Sequence, residues 1–260
     1  MLWSTRLFGC LVLWLGFSVS ASAFQVAAPL GIDAEAVAAY RAGDLDTARS
    51  LWLELLEAEP RVVRGAERGR VLFNLGNLAL RAQADLEAVG WYTASLRLRP
   101  RDADTWANLE FARLGTGLEP ADRGDLKDTL ARLFGAWTRG ESRIIAWLAL
   151  MPLALALGFE ALRGGRAARW ACLVALFLAS LGSIPWVSSC LSANEESVLV
   201  IAERGAAVHT EPRSDAERMA TSPAGEILER LAVYPDWLQV RLTSGRRGWL
   251  RGNDAFTLDR

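Results

Sequence analysis

Hydrophobic positions run in three different rhythms along this chain. In the middle, residues 144–162 (IIAWLALMPLALALGFEAL) and 170–191 (WACLVALFLASLGSIPWVSSCL) are nearly unbroken apolar runs, with Glu160 the one charge in the first and none in the second. About 20 apolar residues make a helix roughly 30 Å long, the thickness of a bilayer's hydrocarbon core. The two runs are therefore expected to form a transmembrane hairpin. Trp147, Trp170 and Trp186 fall near its boundaries, where an indole keeps its ring in apolar surroundings and its N–H in the wet headgroup layer. Between the runs, residues 163–169 (RGGRAAR) carry three arginines and no acid, and short basic loops stay in the cytoplasm. On that expectation everything before Arg143 and after Ser192 lies on the other side of the membrane. The competing reading is a buried helical hairpin of a soluble protein, and two runs this long fit a small soluble core poorly.

Residues 33–118 change to the 3.6-residue rhythm of amphipathic helices, and they repeat. Ala48, Trp52, Leu55 and Pro60 align with Ala88, Tyr92, Ser95 and Pro100 at identical spacing. That phasing of Ala, aromatic and Pro is the second-helix pattern of a tetratricopeptide repeat (TPR). Leu75 and Gly76 take the first-helix positions of the second unit, where a small residue lets two helices approach closely, and Gly43–Asp44 forms the turn of the first. Trp106 and Leu109 open a further first helix. The expected domain is two repeats plus that helix, with the 61–68 stretch as a charged loop between repeats. First helices of such a stack line a concave groove that binds peptides. By phase Arg70, Asn77, Arg81 and Asn108 face it. Asn77 and Asn108 sit where peptide-clamping TPRs carry asparagines, and an amide both donates and accepts, which suits main-chain recognition. The lysine of those clamps is replaced by Phe73. The plainer alternative has the asparagines solvated or tying helices together.

Three further stretches complete the chain. Residues 1–23 read as a secretory signal peptide: Arg6, an apolar run, then Ala21, Ser22 and Ala23 before a cleavage point. An uncleaved anchor is the alternative, and either one exports the next domain. Residues 119–143 carry Leu126, Leu130, Leu133, Phe134 and Trp137 on one helical face, which suits either a juxtamembrane helix lying in the interface or the closing helix of a short repeat stack. Residues 197–260 switch to a period of two. Val198–Ile201, Ala207–His209, Ile227–Val233 and Trp237–Leu242 are expected strands, the last continuing across a tight turn at Gly245 into Trp249–Leu250. The hairpin pattern W-x-x-V, then G-x-x-G-W-L, resembles a bacterial SH3-like barrel. Trp237 and Trp249 are its candidate ligand surface, or else packing residues of its core and rim.

Composition narrows the chemistry. A net charge of -1 gives no general attraction to nucleic acid. There are three cysteines, at 10, 172 and 190, and one histidine, His209. Cys172 and Cys190 lie roughly 27 Å apart by helical rise and cannot bridge. Nothing resembles a phosphate loop, a metal-ligand spacing or a catalytic triad, so no cofactor, metal or catalytic residue is expected and the chain reads as non-enzymatic.

Signal peptide, TPR, two spans and an SH3-like barrel in that order, with the string VLFNLGNLA at 71–79, resemble BatE-type proteins of the Bacteroides aerotolerance (Bat) operon. The resemblance implies a multidomain membrane protein: an all-α TPR superhelix, a two-helix hairpin and an all-β barrel, with both soluble domains periplasmic. It implies partnership with von Willebrand factor A-domain membrane proteins and a MoxR-type ATPase system in an aerotolerance or envelope-stress complex. It supplies no catalytic residues. The expected function is a non-catalytic scaffold, the alternative a sensor or targeting factor whose barrel binds peptidoglycan.

Overall fold

The computed structural model describes residues 27–57, 65–120, 136–193 and 196–258. The signal-peptide stretch and the leucine stripe of 126–134 lie outside the described residues. The described residues form seven α-helices and seven strands.

The first five helices come in pairs with short turns: α1 (Ala27–Ala42) and α2 (Leu45–Glu57), α3 (Ala66–Arg81) and α4 (Asp85–Leu98), then α5 (Ala103–Gly115). The first turn uses Gly43 at φ 87°, left-handed backbone that costs glycine little. Asp44 follows, its carboxylate accepting the Thr47 N–H at 3.1 Å at the start of α2. Hydrogen bonds from the Thr47 hydroxyl and backbone hold the Asp44 carboxyl below its usual pKa. Asp102 caps α5 in the same way by accepting from the Thr105 N–H.

The positions aligned by sequence, Ala48 with Ala88, Trp52 with Tyr92 and Leu55 with Ser95, are all buried. Their spacing puts one small, one aromatic and one further residue on the face that each second helix turns inward. Gly76 meets the Tyr92 ring so closely that a Cβ there would fall 2.5 Å from Cε1. Ser95 satisfies its buried hydroxyl by donating to the Gly69 carbonyl at 2.7 Å.

Two long helices follow, α6 (Arg139–Arg163) and α7 (Arg166–Ala193), packed as an antiparallel hairpin. Small residues bring them together: Ala146, Ala168, Ala175 and Ala179 are buried, and Gly182 faces Ala149. The outward side chains are large and apolar, with Leu155 72% and Trp147 68% exposed. Both boundaries differ from expectation. The basic loop of 163–169 contracts to Gly164 and Gly165, at φ 60° and 108°, because two glycines suffice for the reversal and the arginines extend the helices. At the other end the first long apolar helix begins at Arg139, so 139–143 belongs to it and not to a separate element. Thr138 and Glu141 form a reciprocal capping box there.

The remaining residues form one antiparallel sheet: β1 (Ser197–Val200), β2 (Ala206–His209), β3 (Arg218–Ser222), β4 (Ile227–Tyr234), β5 (Trp237–Arg241), β6 (Arg247–Arg251) and β7 (Ala255–Thr257), in the order β3-β2-β6-β5-β4-β1-β7. Its inner face buries Val198, Val200, Val208, Leu228, Val240 and Leu250. The four expected strands and the hairpin are present, while β3 and β7 add to them.

The sheet is not an independent bead on the chain. Leu199, Phe256 and Leu258 pack into the core of the helix pairs. Phe256 sits where Gly90 of α4 lacks a side chain: a Cβ on Gly90 would lie 2.6 Å from its ring. Its edge-on contact with Trp91 has ring centroids 4.6 Å apart. Arg97, in the last turn of α4, donates to the Ser197 hydroxyl at 2.6 Å. Helix pairs and sheet share one hydrophobic core.

Candidate interaction face and apolar hairpin

The residues expected to line a groove do come to one side of α3. Arg70, Asn77 and Arg81 follow each other at helical spacing, and each reaches a neighbouring first-of-pair helix. Arg70 Nη2 donates to Asp33 Oδ2 of α1 at 3.0 Å, and Trp52 Nε1 donates to the other Asp33 oxygen at 3.1 Å. Arg81 Nη1 donates to the Tyr40 carbonyl at 2.7 Å while its guanidinium lies 5.0 Å over the Tyr40 ring. Asn77 Oδ1 accepts twice, from the Tyr92 hydroxyl at 2.7 Å and from Asn108 Nδ2 of α5 at 2.9 Å. Burial pushes the Tyr92 hydroxyl well above its usual pKa, and the Asn108 amide beside it opposes the shift.

These bonds show the helix-tying role of both asparagines in place. They also fix which atoms remain. With Asn77 Oδ1 and Asn108 Nδ2 turned inward, no bond within the described residues uses the Asn77 Nδ2 donors or the Asn108 Oδ1 acceptor. One turn beyond Asn108 on α5, Phe111 stands 65% exposed. Sequence reasoning missed Phe111, and it missed Asp33 and Tyr40, which hold the two arginines. An exposed aromatic has no periodic signature, and Asp33 lies 37 positions from Arg70, beyond any local pattern.

On the sheet, Trp237 and Trp249 share the outer face with His209 and Tyr234. Trp237 is 7% exposed, edge-on to His209 at 5.3 Å with the Arg251 guanidinium 5.5 Å over its ring. Trp249 is half-buried and edge-on to Tyr234 at 6.2 Å. Trp237 is thus a packing residue under Arg251, and Trp249 with Tyr234 forms the open part of the cluster. His209 Nδ1 lies 3.0 Å from the Ala216 carbonyl, which ties down the loop after β2.

The hairpin has two distinct ends. Glu160 beside Arg169 and Ala149 beside Gly182 fix the register of α6 against α7. That register brings Trp147 and Trp186 to within about one turn of the same level. Trp170 lies near the opposite end, about 24 Å of helix rise from Trp186. At the tryptophan-paired end the helix pairs meet the hairpin. Arg101, in the turn between α4 and α5, forms an ion pair with Glu141 and lies 5.5 Å over the Trp137 ring. At the far side of the helix pairs, Gln83, Asp85 and Gly115 face Ile201 and Glu203 of the sheet across a cleft of about 470 Å³.

No protein-family model, curated protein or solved structure matches this chain. The geometry defines its class: a mixed protein with two helices long and apolar enough to cross a membrane, and a seven-stranded antiparallel sheet packed on paired helices.

Proposed function

We propose that the protein is a non-catalytic scaffold of the bacterial inner membrane, in which the hairpin spans the bilayer and holds a peptide-binding body outside the cytoplasm. In this reading the helix pairs are TPR units and the sheet is an SH3-like barrel, as in the BatE-type proteins the sequence resembles. The partners are then other envelope proteins, with von Willebrand factor A-domain Bat proteins and their MoxR-type ATPase system as the first to test. The observation that carries the reading is that half-buried Asn77 and Asn108 keep one amide donor, Asn77 Nδ2, and one acceptor, Asn108 Oδ1, unused by any bond among the described residues, one turn from exposed Phe111. A peptide unit offers one acceptor and one donor, so the two asparagines complement a main chain passing across α3 and α5 while Phe111 takes a side chain.

The test is a photo-crosslinking residue at Phe111 in the full-length protein in its native membrane, with and without Asn77→Asp. Aspartate keeps the inward oxygen for Tyr92 and Asn108 but replaces the outward donor with an acceptor. One lost hydrogen bond is worth about 0.5–1.5 kcal/mol, or roughly 2- to 13-fold in affinity. Adducts should weaken by at least that much while the melting temperature holds. Undiminished adducts would sink the groove.

The aromatic outer face of the sheet favours a second reading, a cell-wall sensor or targeting factor that binds peptidoglycan. Exposed Tyr234 beside half-buried Trp249 offers two rings to a sugar or peptide stem. Retention on purified murein, lost in Trp249→Ala, separates it from the scaffold reading.

A further inference from the structure

We propose that the turn joining β4 to β5 is an interfacial foot, which rests the exported body on the phospholipid surface through Val233 and Tyr234. The inference rests on reading α6 and α7 as membrane spans. Its basis is direction. Three residues separate the end of α7 from β1, whose first residue Ser197 pairs with Glu229 of β4, while the Glu196 carbonyl just before it accepts from the Arg230 N–H. From that level β4 and β5 continue past the start of β1, towards the hairpin side. On β5 the extension runs from Val240, opposite Arg230, to Trp237, opposite Tyr234. Three strand steps are about 10 Å. The chain from Glu196 back to Ala193 also covers three steps, at most about 11 Å. The end of α7 therefore lies within about 11 Å of the start of β1, and the turn extends about 10 Å past that start on the side from which Glu196 arrives.

An independent axis gives the same direction. Along α4, Gly90 meets Phe256 of β7 and Arg97 meets Ser197 of β1, so β1 runs opposite to α4. The C-terminal end of α4 leads directly to Arg101, which grips Glu141 and Trp137 at the mouth of the hairpin. The opposite end of the sheet, at Ile201 and Glu203, meets the α3–α4 turn on the side away from it. The β4–β5 turn is thus on the membrane side by both routes.

The residues placed there suit a lipid interface. Val233 is 64% and Tyr234 55% exposed, large side chains that the described residues leave mostly open. A tyrosine keeps its ring in the acyl boundary and its hydroxyl among headgroups. Asp236 at the tip would oppose an anionic surface, so the apolar pair, and not charge, makes the contact. Continuity does the rest: Trp147 and Trp186 mark the interface on the hairpin, Trp186 about 10 Å of helix rise before the end of α7, and Trp137 under Arg101 lies beyond them on the side of the turn.

The experiment uses full-length protein with Cys10, Cys172 and Cys190 changed to Ser and single-label positions Val233→Cys, Tyr234→Cys, Glu203→Cys and Leu155→Cys. Each carries an environment-sensitive fluorophore in nanodiscs of phosphatidylcholine, with or without nitroxide lipids labelled at the headgroup or in the acyl chain. The headgroup nitroxide should quench positions 233 and 234 several-fold more than 203, equally in phosphatidylglycerol discs, and the acyl-chain nitroxide should quench 155. Quenched 155 with unquenched 233 and 234 overturns the foot alone. Unquenched 155 overturns the membrane reading and the foot with it. Quenching of 233 and 234 confined to phosphatidylglycerol overturns the apolar contact in favour of headgroup charge. Shielding of both labels by murein fragments, without lipid quenching, hands the turn to the cell-wall reading.

Discussion

Asn77 has a structural role on the face proposed for binding. Its oxygen holds the Tyr92 hydroxyl and the Asn108 amide, so three helices converge on a single atom. Truncation to alanine would strand a buried phenol, and leaving a buried polar group unpaired costs about 1–3 kcal/mol. Asn77→Ala should therefore lower the denaturation midpoint where Asn77→Asp does not, and equal melting of the two would deny the Tyr92 bond any weight. Tyr92 itself makes a pH prediction. Burial raises its pKa in the folded chain, so folded protein retains a proton that the unfolded chain releases near pH 10. The contribution of this group to stability is complete below about pH 10 and declines above it. Denaturant midpoints should fall between pH 9 and pH 11, and Tyr92→Phe should flatten that decline. Next to it, Gly76 leaves no room: Gly76→Leu drives a side chain into the Tyr92 ring, and overpacking of this kind costs about 1–3 kcal/mol or more. A melting temperature unmoved by Gly76→Leu would mean that α3 and α4 do not pack as described.

Among elements, the contact that matters most is one the sequence could not announce. Gly90 lies between Val89 and Trp91 in the middle of α4, where glycine costs helix stability and a local reading offers no reason for it. The reason is Phe256, 166 positions away, which fills the space a side chain would take. Phe256→Ala should cost about 3–5 kcal/mol, the range for emptying a buried aromatic site. It should also make the sheet and the helix pairs sensitive to protease together, because the two share that core. Selective loss of the sheet, with the helix pairs intact, would show instead that they fold separately. Elements with a rhythm were legible: the two long apolar runs as helices, the phased Ala and aromatic positions, and the alternating strands. β3 (RMATS) and β7 (AFT) were not, since one is mostly polar and the other is three residues long. The arginine loop was misjudged for a related reason. Charge marks the side of the membrane on which a segment stays, but backbone freedom sets where a helix turns, and only Gly164 and Gly165 have that freedom.

For the whole molecule, the shared core constrains topology more tightly than either apolar run alone. Helix pairs that precede the hairpin and a sheet that follows it are packed on each other through Phe256, Leu199 and Leu258, so both must lie on one side of any membrane the hairpin crosses. An odd number of crossings between them is incompatible with that packing. On the proposed membrane reading the three arginines at the opposite end, Arg163, Arg166 and Arg169, set which side, because positive residues resist translocation. Reporters active only outside the cytoplasm should report activity when fused at Gly115 or after Arg260, and none at Gly165. Changing all three arginines to Glu should invert a fraction of the molecules. In the inverted fraction both soluble parts must move together, so reporters at Gly115 and Arg260 should lose activity in equal proportion while Gly165 gains it. Opposite signals from Gly115 and Arg260 in one variant would mean that the hairpin crosses only once, and would break the common core along with the two-span topology.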